Sequence, residues 1–258
     1  SSKARDGVPL RRPKHGTECH SVVQSTGRSA TPSYKALYSH DVSAVFPTPF
    51  LHARSFRHEH RRLKQYDAVI LNNTTKLKLD ESQRAALLEF VKGGKGIVGI
   101  HAATDNFYDW PEGAEMMGGC FAGHPWGGGG TWAVQISEPD HVLNRAFGGK
   151  GFLIKDEIYK FRDPYSRERL RILVGLDMTN PRNVKGREDD DNAISWIRGL
   201  GDGRVFYCSL GHNNHIFWNP QVLQHYLDGI QFALGDLEAD ATPSAELAKQ
   251  PEPARCPE

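Results

Sequence analysis

With 258 residues, 38% apolar and 24% charged, the chain can bury one substantial α/β core or two small ones, and its make-up is that of an ordinary globular protein. It contains no run of the roughly 18 apolar residues that a membrane crossing needs, and the opening SSKARDGVPLRRPKHG lacks the apolar segment of a signal peptide. A soluble protein of the cytoplasm or periplasm is the expectation, with no membrane partner.

Net charge is +1, yet residues 1–65 carry 12 Lys and Arg against 4 Asp and Glu, so a basic front is joined to an acidic remainder. The basic residues are dispersed, without aromatic interleaving or helical period, which argues against a nucleic-acid partner. The four cysteines, Cys19, Cys120, Cys208 and Cys256, show neither CxxC spacing nor a disulfide framework. Cys208, inside the apolar RVFYCSL, reads as a buried inert thiol.

In chain order, residues 1–61 form a basic segment of weak signal. SVVQST could be a short strand, while SATPSYKALYSHD and FPTPFLHARSF read as turns and loops. YDAVILNNTT is an apolar run closed by Asn and Thr, as in a strand buried on both faces of a parallel sheet. LDESQRAALLEFVKGGKG follows, with Asp80 as N-cap, Gln83 completing a capping box, Leu87, Leu88 and Val91 as a stripe, and Gly93 as the stop. GIVGI is the next strand, and strand–helix–strand makes a right-handed βαβ unit.

TWAVQIS alternates as a half-buried strand, and FLIKDEIYKF and RLRILVGLDM are further strand candidates. NAISWIRGLGDGRVFYCSL reads as a hairpin turning at Gly199–Gly203. PQVLQHYLDGIQFALG reads as a closing helix with Leu223, Leu227, Ile230 and Leu234 on its apolar face. The division expected is an atypical segment over 1–61, one domain over 62–236 and an acidic, Pro-rich tail over 237–258, extended or mobile.

Open α/β sheets bind ligands beyond the carboxyl ends of their parallel strands, which draws attention to His101 at the tip of GIVGI. The loop behind it offers Asp105, Asn106, Tyr108, Asp109 and Trp110, a mixture of carboxylate, amide and aromatic faces suited to sugars. The bland alternative is that Asp105 caps a turn and Trp110 plugs the core. GGCFAGHPWGGGG adds His124 and Trp126 on a glycine-rich loop. In KDEIYKF, Asp156 and Glu157 alternate, so one faces a site and the other solvent. SLGHNNHIFW brings His212 and His215 to a loop after a strand.

Together His101, Asp105, His124, Glu157 and His212 are the candidate catalytic acid–base groups. Asn106, Tyr108, Trp110, Trp126 and His215 are candidates for substrate binding. No cofactor is expected; a divalent metal on His101, His124 and His212 is the alternative, and without HExxH spacing it would have to be assembled through space.

The stretches YDAVILNNTT, FVKGGKGIVGIHAATDNFYDWPE, GGCFAGHPW, DEIYKF and GRVFYCSLGHNNHIFW resemble the ThuA-like, or trehalose utilisation, family from about Tyr66 to Leu234. The resemblance implies a three-layer α/β open sheet, largely parallel, of the flavodoxin or class I glutamine amidotransferase type, with an added β-hairpin. Amidotransferases carry cysteine in a G-x-C-x-G elbow, whereas this chain has Gly99-Ile100-His101-Ala102-Ala103, so glutaminase activity is not expected. The resemblance further implies a small-molecule carbohydrate ligand, a sugar or a 3-keto-glycoside, and leaves open a homo-oligomer. A non-catalytic carbohydrate-binding or accessory domain is the alternative function. At the front the resemblance fades: only His15-Gly16 and His20-Ser21 in PKHGTECHSVV echo the family's Gly/His-rich loop.

Overall fold

A computed structural model describes residues 36–39, as backbone, and 63–257. Along the chain the strands are β1 (Ala36–Ser39), β2 (Ala68–Asn72), β3 (Gly96–Ile100), β4 (Cys120–Phe121) and β5 (Trp132–Ile136), then β6 (Phe152–Ile154), β7 (Phe161–Arg162), β8 (Arg171–Leu176), β9 (Ala193–Leu200) and β10 (Gly203–Cys208). The α-helices are α1 (Glu81–Lys92), α2 (Pro111–Met117) and α3 (Pro220–Leu234).

Eight strands form one sheet in the order β1-β2-β3-β10-β9-β8-β5-β6, while β4 and β7 pair as a small separate ribbon. β1, β2, β3 and β10 run parallel, with Leu71 beside Gly99 and Gly99 beside Tyr207. From β10 outward every pairing is antiparallel, so the added hairpin is the start of an antiparallel half.

Period-two alternation sends the sheet's side chains into two cores, giving three layers. Val69, Leu71, Ile97, Val205 and Tyr207 meet α1 and α2. Ile70, Val98, Ile100, Phe206 and Cys208 meet α3. The α1 cap forms as its sequence predicts: Asp80 Oδ1 accepts from Gln83 N, and Gln83 Oε1 accepts from Asp80 N, both at 2.9 Å. Cys208 is fully buried, which pushes its thiol pKa up to about 12. No helix among the described residues is long and apolar enough to cross a membrane.

Three expectations need correction. SATPSYKALYSHD is not all loop, because Ala36–Ser39 pairs with Ala68–Leu71 as a parallel strand. FLIKDEIYKF is broken: β6 stops at Ile154 and β7 begins at Phe161, and between them the backbone makes only an isolated bridge from Ile158 to Trp126.

In α3, Leu223 and Leu227 point outward, 41% and 47% exposed, while Val222, Tyr226, Phe232 and Ala233 are buried. Both stripes have helical period. The buried one wins because Gly229 lets the helix close on Phe206, whose ring would sit 2.5 Å from any Cβ at that position. The tail is extended but pinned to the antiparallel half: Ala254 bridges Ile136, Ser244 Oγ accepts from Ile172 N at 2.8 Å, and Arg171 reaches Asp240 at 3.1 Å. The SVVQST strand and the FPTPFLHARSF loop lie outside the described residues.

Candidate functional site

The site grows from the end of β3. His101 follows Ile100 directly and takes a left-handed φ of +48°, which a non-glycine residue rarely adopts, before a 3-10 turn over His101–Thr104. Two bonds hold that bend. Tyr207 Oη donates to the His101 carbonyl at 2.6 Å, and His101 Nδ1 lies 2.7 Å from the Ser209 carbonyl. A carbonyl can only accept, so Nδ1 carries the proton and Nε2 is left with a lone pair. Burial lowers the His101 pKa to about 4, so the ring stays neutral at ordinary pH.

That lone pair faces Glu157, with Nε2 3.7 Å from Oε1. His212 Nδ1 is 3.4 Å from the same oxygen, and His124 Nδ1 is 3.5 Å from Oε2. Three imidazoles from three loops thus converge on one carboxylate, just beyond β3, just beyond β10 and on the glycine-rich loop.

A neutral imidazole lone pair opposite a carboxylate oxygen sets acceptor against acceptor. The arrangement calls for a cation between them, either a proton or a metal ion. Ligands around one tetrahedral divalent ion lie about 3.3 Å apart, close to the spacing here. One ligand atom each from His101, Glu157 and His212 can be chosen with all three within 4.8 Å of one another. A nitrogen–nitrogen–oxygen set of this kind suits zinc and its divalent neighbours. A backbone carbonyl on the far ring nitrogen, as Ser209 supplies to His101, is a common outer partner of metal-binding histidines in general.

The aromatic wall comes from Tyr159, 4.4 Å from the His101 ring, and Phe121, 4.3 Å from Tyr159. Asp105 stands one step back: its carboxylate accepts the Tyr108 hydroxyl, and its charge helps burial raise the Tyr159 pKa. Tyr108 is half exposed, with the Arg162 guanidinium 5.7 Å from its ring. His215 is exposed on the 3-10 turn Asn214–Trp218, and no ion pair ties it to Glu157.

Three expected substrate-binding residues belong to the core instead. Trp126 is fully buried, with its indole N–H donated to the Val184 carbonyl at 3.0 Å. Trp110 packs edge-on against Phe107 and over Gly113, where a Cβ would meet its ring at 2.2 Å. Asn106 is buried, accepts from Leu77 N at 2.7 Å and donates to Thr74 O at 2.8 Å. Side chains so enclosed offer no face to a sugar. Asp156 corrects the alternation argument too: it is fully buried and faces no solvent, its carboxylate bonded to backbone N–H groups at 211–213.

The family model described as ThuA, trehalose utilisation, matches residues 23–233. The chain belongs to the ThuA family. It is accordingly a carbohydrate-utilisation-related protein, and the match reaches further forward than the motifs do, into the basic segment. A ThuA-like protein from Bacteroides uniformis superposes with a TM-score of 0.55 at 22% identity, covering 67% of this chain and 71% of that one. A second, from Parabacteroides merdae, gives 0.51 at 21% identity, covering 69% and 74%. These likenesses establish the fold. Comparison with curated proteins gave no match.

Sequence reasoning missed Tyr159, Tyr207 and Trp218 in this ThuA protein. Tyr207 and Tyr159 look like core residues because their rings are core; only their partners in space give them a second role. Trp218 is 81% exposed at the end of the turn that follows His212. It lies in the quoted stretch SLGHNNHIFW, where the histidines drew attention away from it.

Proposed function

We propose that this ThuA protein is an enzyme acting on a sugar or 3-keto-glycoside, with a divalent cation held by His101, Glu157 and His212. The observation that carries this reading is the neutral His101 Nε2 facing the Glu157 carboxylate at 3.7 Å, with His212 alongside. A divalent ion bound there would polarise a carbonyl or hydroxyl oxygen of the substrate.

The chain's own residues have separate tasks. His101 and His212 present fixed nitrogens, and Glu157 supplies the negative charge. His124, exposed at the mouth and 3.5 Å from Oε2, is placed to pass protons between substrate and solvent. A hydrogen beside the keto group of a 3-keto-sugar is acidic enough for such a base to remove, which makes elimination, isomerisation or hydrolytic cleavage the reaction class. Glutaminase activity is not expected, because an imidazole stands where the nucleophilic thiol would be.

The test is turnover of a panel of 3-keto-glycosides by protein supplied with Zn²⁺, Mn²⁺ or Mg²⁺. Wild type should consume at least one member and the folded H101A variant none. Equal turnover by H101A would remove His101 from the chemistry. The exposed Trp218 also supports a second reading, a non-catalytic sugar-binding domain, since an open indole is a stacking platform. That reading predicts binding of intact sugars and no consumption of any.

A further inference from the structure

Glu157 gathers the imidazoles, yet the residue before it is the more deeply buried. Asp156 is fully enclosed, and its carboxylate is bonded into the backbone of the loop that carries His212. Oδ2 accepts from Gly211 N at 2.7 Å and His212 N at 3.4 Å; Oδ1 accepts from Asn213 N at 2.7 Å. Three consecutive N–H groups, with Gly211 at a φ of +125°, wrap around one carboxylate. Desolvating a carboxylate is costly unless its lone pairs are filled, and here the loop backbone fills them.

The same loop is tied on its other side. Asn213 Nδ2 donates to Gly128 O at 2.8 Å and Lys155 O at 3.1 Å, and the Trp132 indole donates to Asp156 O at 3.0 Å and Gly127 O at 3.2 Å. Gly128 lies against the His212 ring: a Cβ there would lie 2.9 Å from its Cδ2. The His101 ring meets it edge-on at 5.3 Å.

We infer that Asp156 is a positioning residue that fixes the His212 imidazole for cation binding, with Gly128 as the second wall of its seat. The inference rests on the reading of His101, Glu157 and His212 as a cation site. The tandem acids then divide the work: Asp156 fixes the backbone under one ligand while Glu157 serves as another. Because the two are consecutive, the loop and the carboxylate ligand are held in one register. Partners that orient a ligand in this way are typically worth about 10- to 100-fold in metal affinity.

The test measures Zn²⁺ affinity by chelator competition in wild type, H212A, D156N, G128A and the double variant D156N/H212A, alongside thermal unfolding of each metal-free protein. D156N should weaken binding by about 10- to 100-fold, because the amide cannot accept from all three N–H groups. G128A should weaken it by about 10-fold with little change in unfolding temperature, since its methyl meets the imidazole and, at 3.4 Å, the Asn213 side-chain oxygen. If Asp156 acts through His212, D156N should add nothing in the H212A background.

An effect of D156N that persists in full without His212 would overturn the inference, as would wild-type affinity in both D156N and G128A while H212A binds weakly. Wild-type affinity in H212A itself would instead remove the cation site, and the positioning role with it. Should D156N fail to fold, G128A decides alone, and unchanged affinity there counts against the seat.

Discussion

Two buried histidines in this molecule look alike until their second nitrogens are compared. His101, at the tip of the parallel half, and His225, on α3 against Ser195 of β9 and Phe206 of β10, are both enclosed, and burial lowers both to a pKa of about 4. Each has Nδ1 2.7 Å from a backbone carbonyl, Ser209 for His101 and Leu143 for His225. The difference lies at Nε2. His225 Nε2 lies 2.8 Å from the Ser195 hydroxyl, whose one proton is shared between that nitrogen and the Tyr207 carbonyl at 2.9 Å, whereas His101 meets a carboxylate that can only accept. A shifted pKa therefore does not tell the two apart; the chemistry of the second partner does.

The surrounding halves follow the same division. In the antiparallel half, charges close on one another: Arg171 lies between Glu138 at 2.5 Å and Asp240 at 3.1 Å, and Arg145 pairs with Asp228. At the carboxyl ends of the parallel strands, three imidazoles share one carboxylate, and the backbone at His101 is bent into a conformation its side chain disfavours.

The contrast can be broken by exchanging partner types. The largest effect is expected for E157Q, which replaces an acceptor by a side chain that can donate to His101 Nε2. Zn²⁺ affinity should fall at least about 100-fold while the metal-free protein unfolds no lower than wild type. Loss of metal-free stability in E157Q would mean that the carboxylate is structural.

Next comes acid stability. The folded His225 pKa, about 4, is below the ordinary 6.5, so the unfolded chain takes up the proton first. Its stabilisation is complete above about pH 6.5 and is lost as pH falls toward 4, amounting to roughly 3 kcal/mol. Denaturant unfolding of wild type and H225Q across this range should show that slope in the difference between them, and parallel curves would refute it.

A smaller effect is expected for S195A. Removing the hydroxyl, which reaches both His225 and the Tyr207 carbonyl, should cost about 1–3 kcal/mol of stability and leave Zn²⁺ affinity unchanged; a fall in affinity would show that the Tyr207 link carries to His101. Smallest is W218A, expected to weaken sugar binding by about 1 kcal/mol without altering metal affinity, read by calorimetry. Equal sugar affinity in W218A would leave the indole without that role.

Much of the parallel half was legible in the chain. Its βαβ unit carries two apolar runs, a capping box and a glycine stop, all local signals that need no tertiary knowledge. The place of His101 was legible because GIVGI reads as a strand and the next residue falls at its tip. The burial of Trp110 and Trp126 was not, since an aromatic in a polar loop reads the same whether it turns in or out. Nor was the outward face of α3 legible, where two stripes shared one period and the choice depended on Gly229 fitting Phe206. Asp156 was hidden for a related reason: its partners are backbone N–H groups 55 to 57 residues away, which leave no mark in side-chain spacing.

The measurement closest to the central claim is a calorimetric titration of metal-stripped protein with Zn²⁺, run side by side with H101A, E157Q and H212A. One equivalent bound tightly by wild type and weakly by all three variants is the predicted result. No saturable binding by wild type, or binding that all three variants retain, would contradict the account.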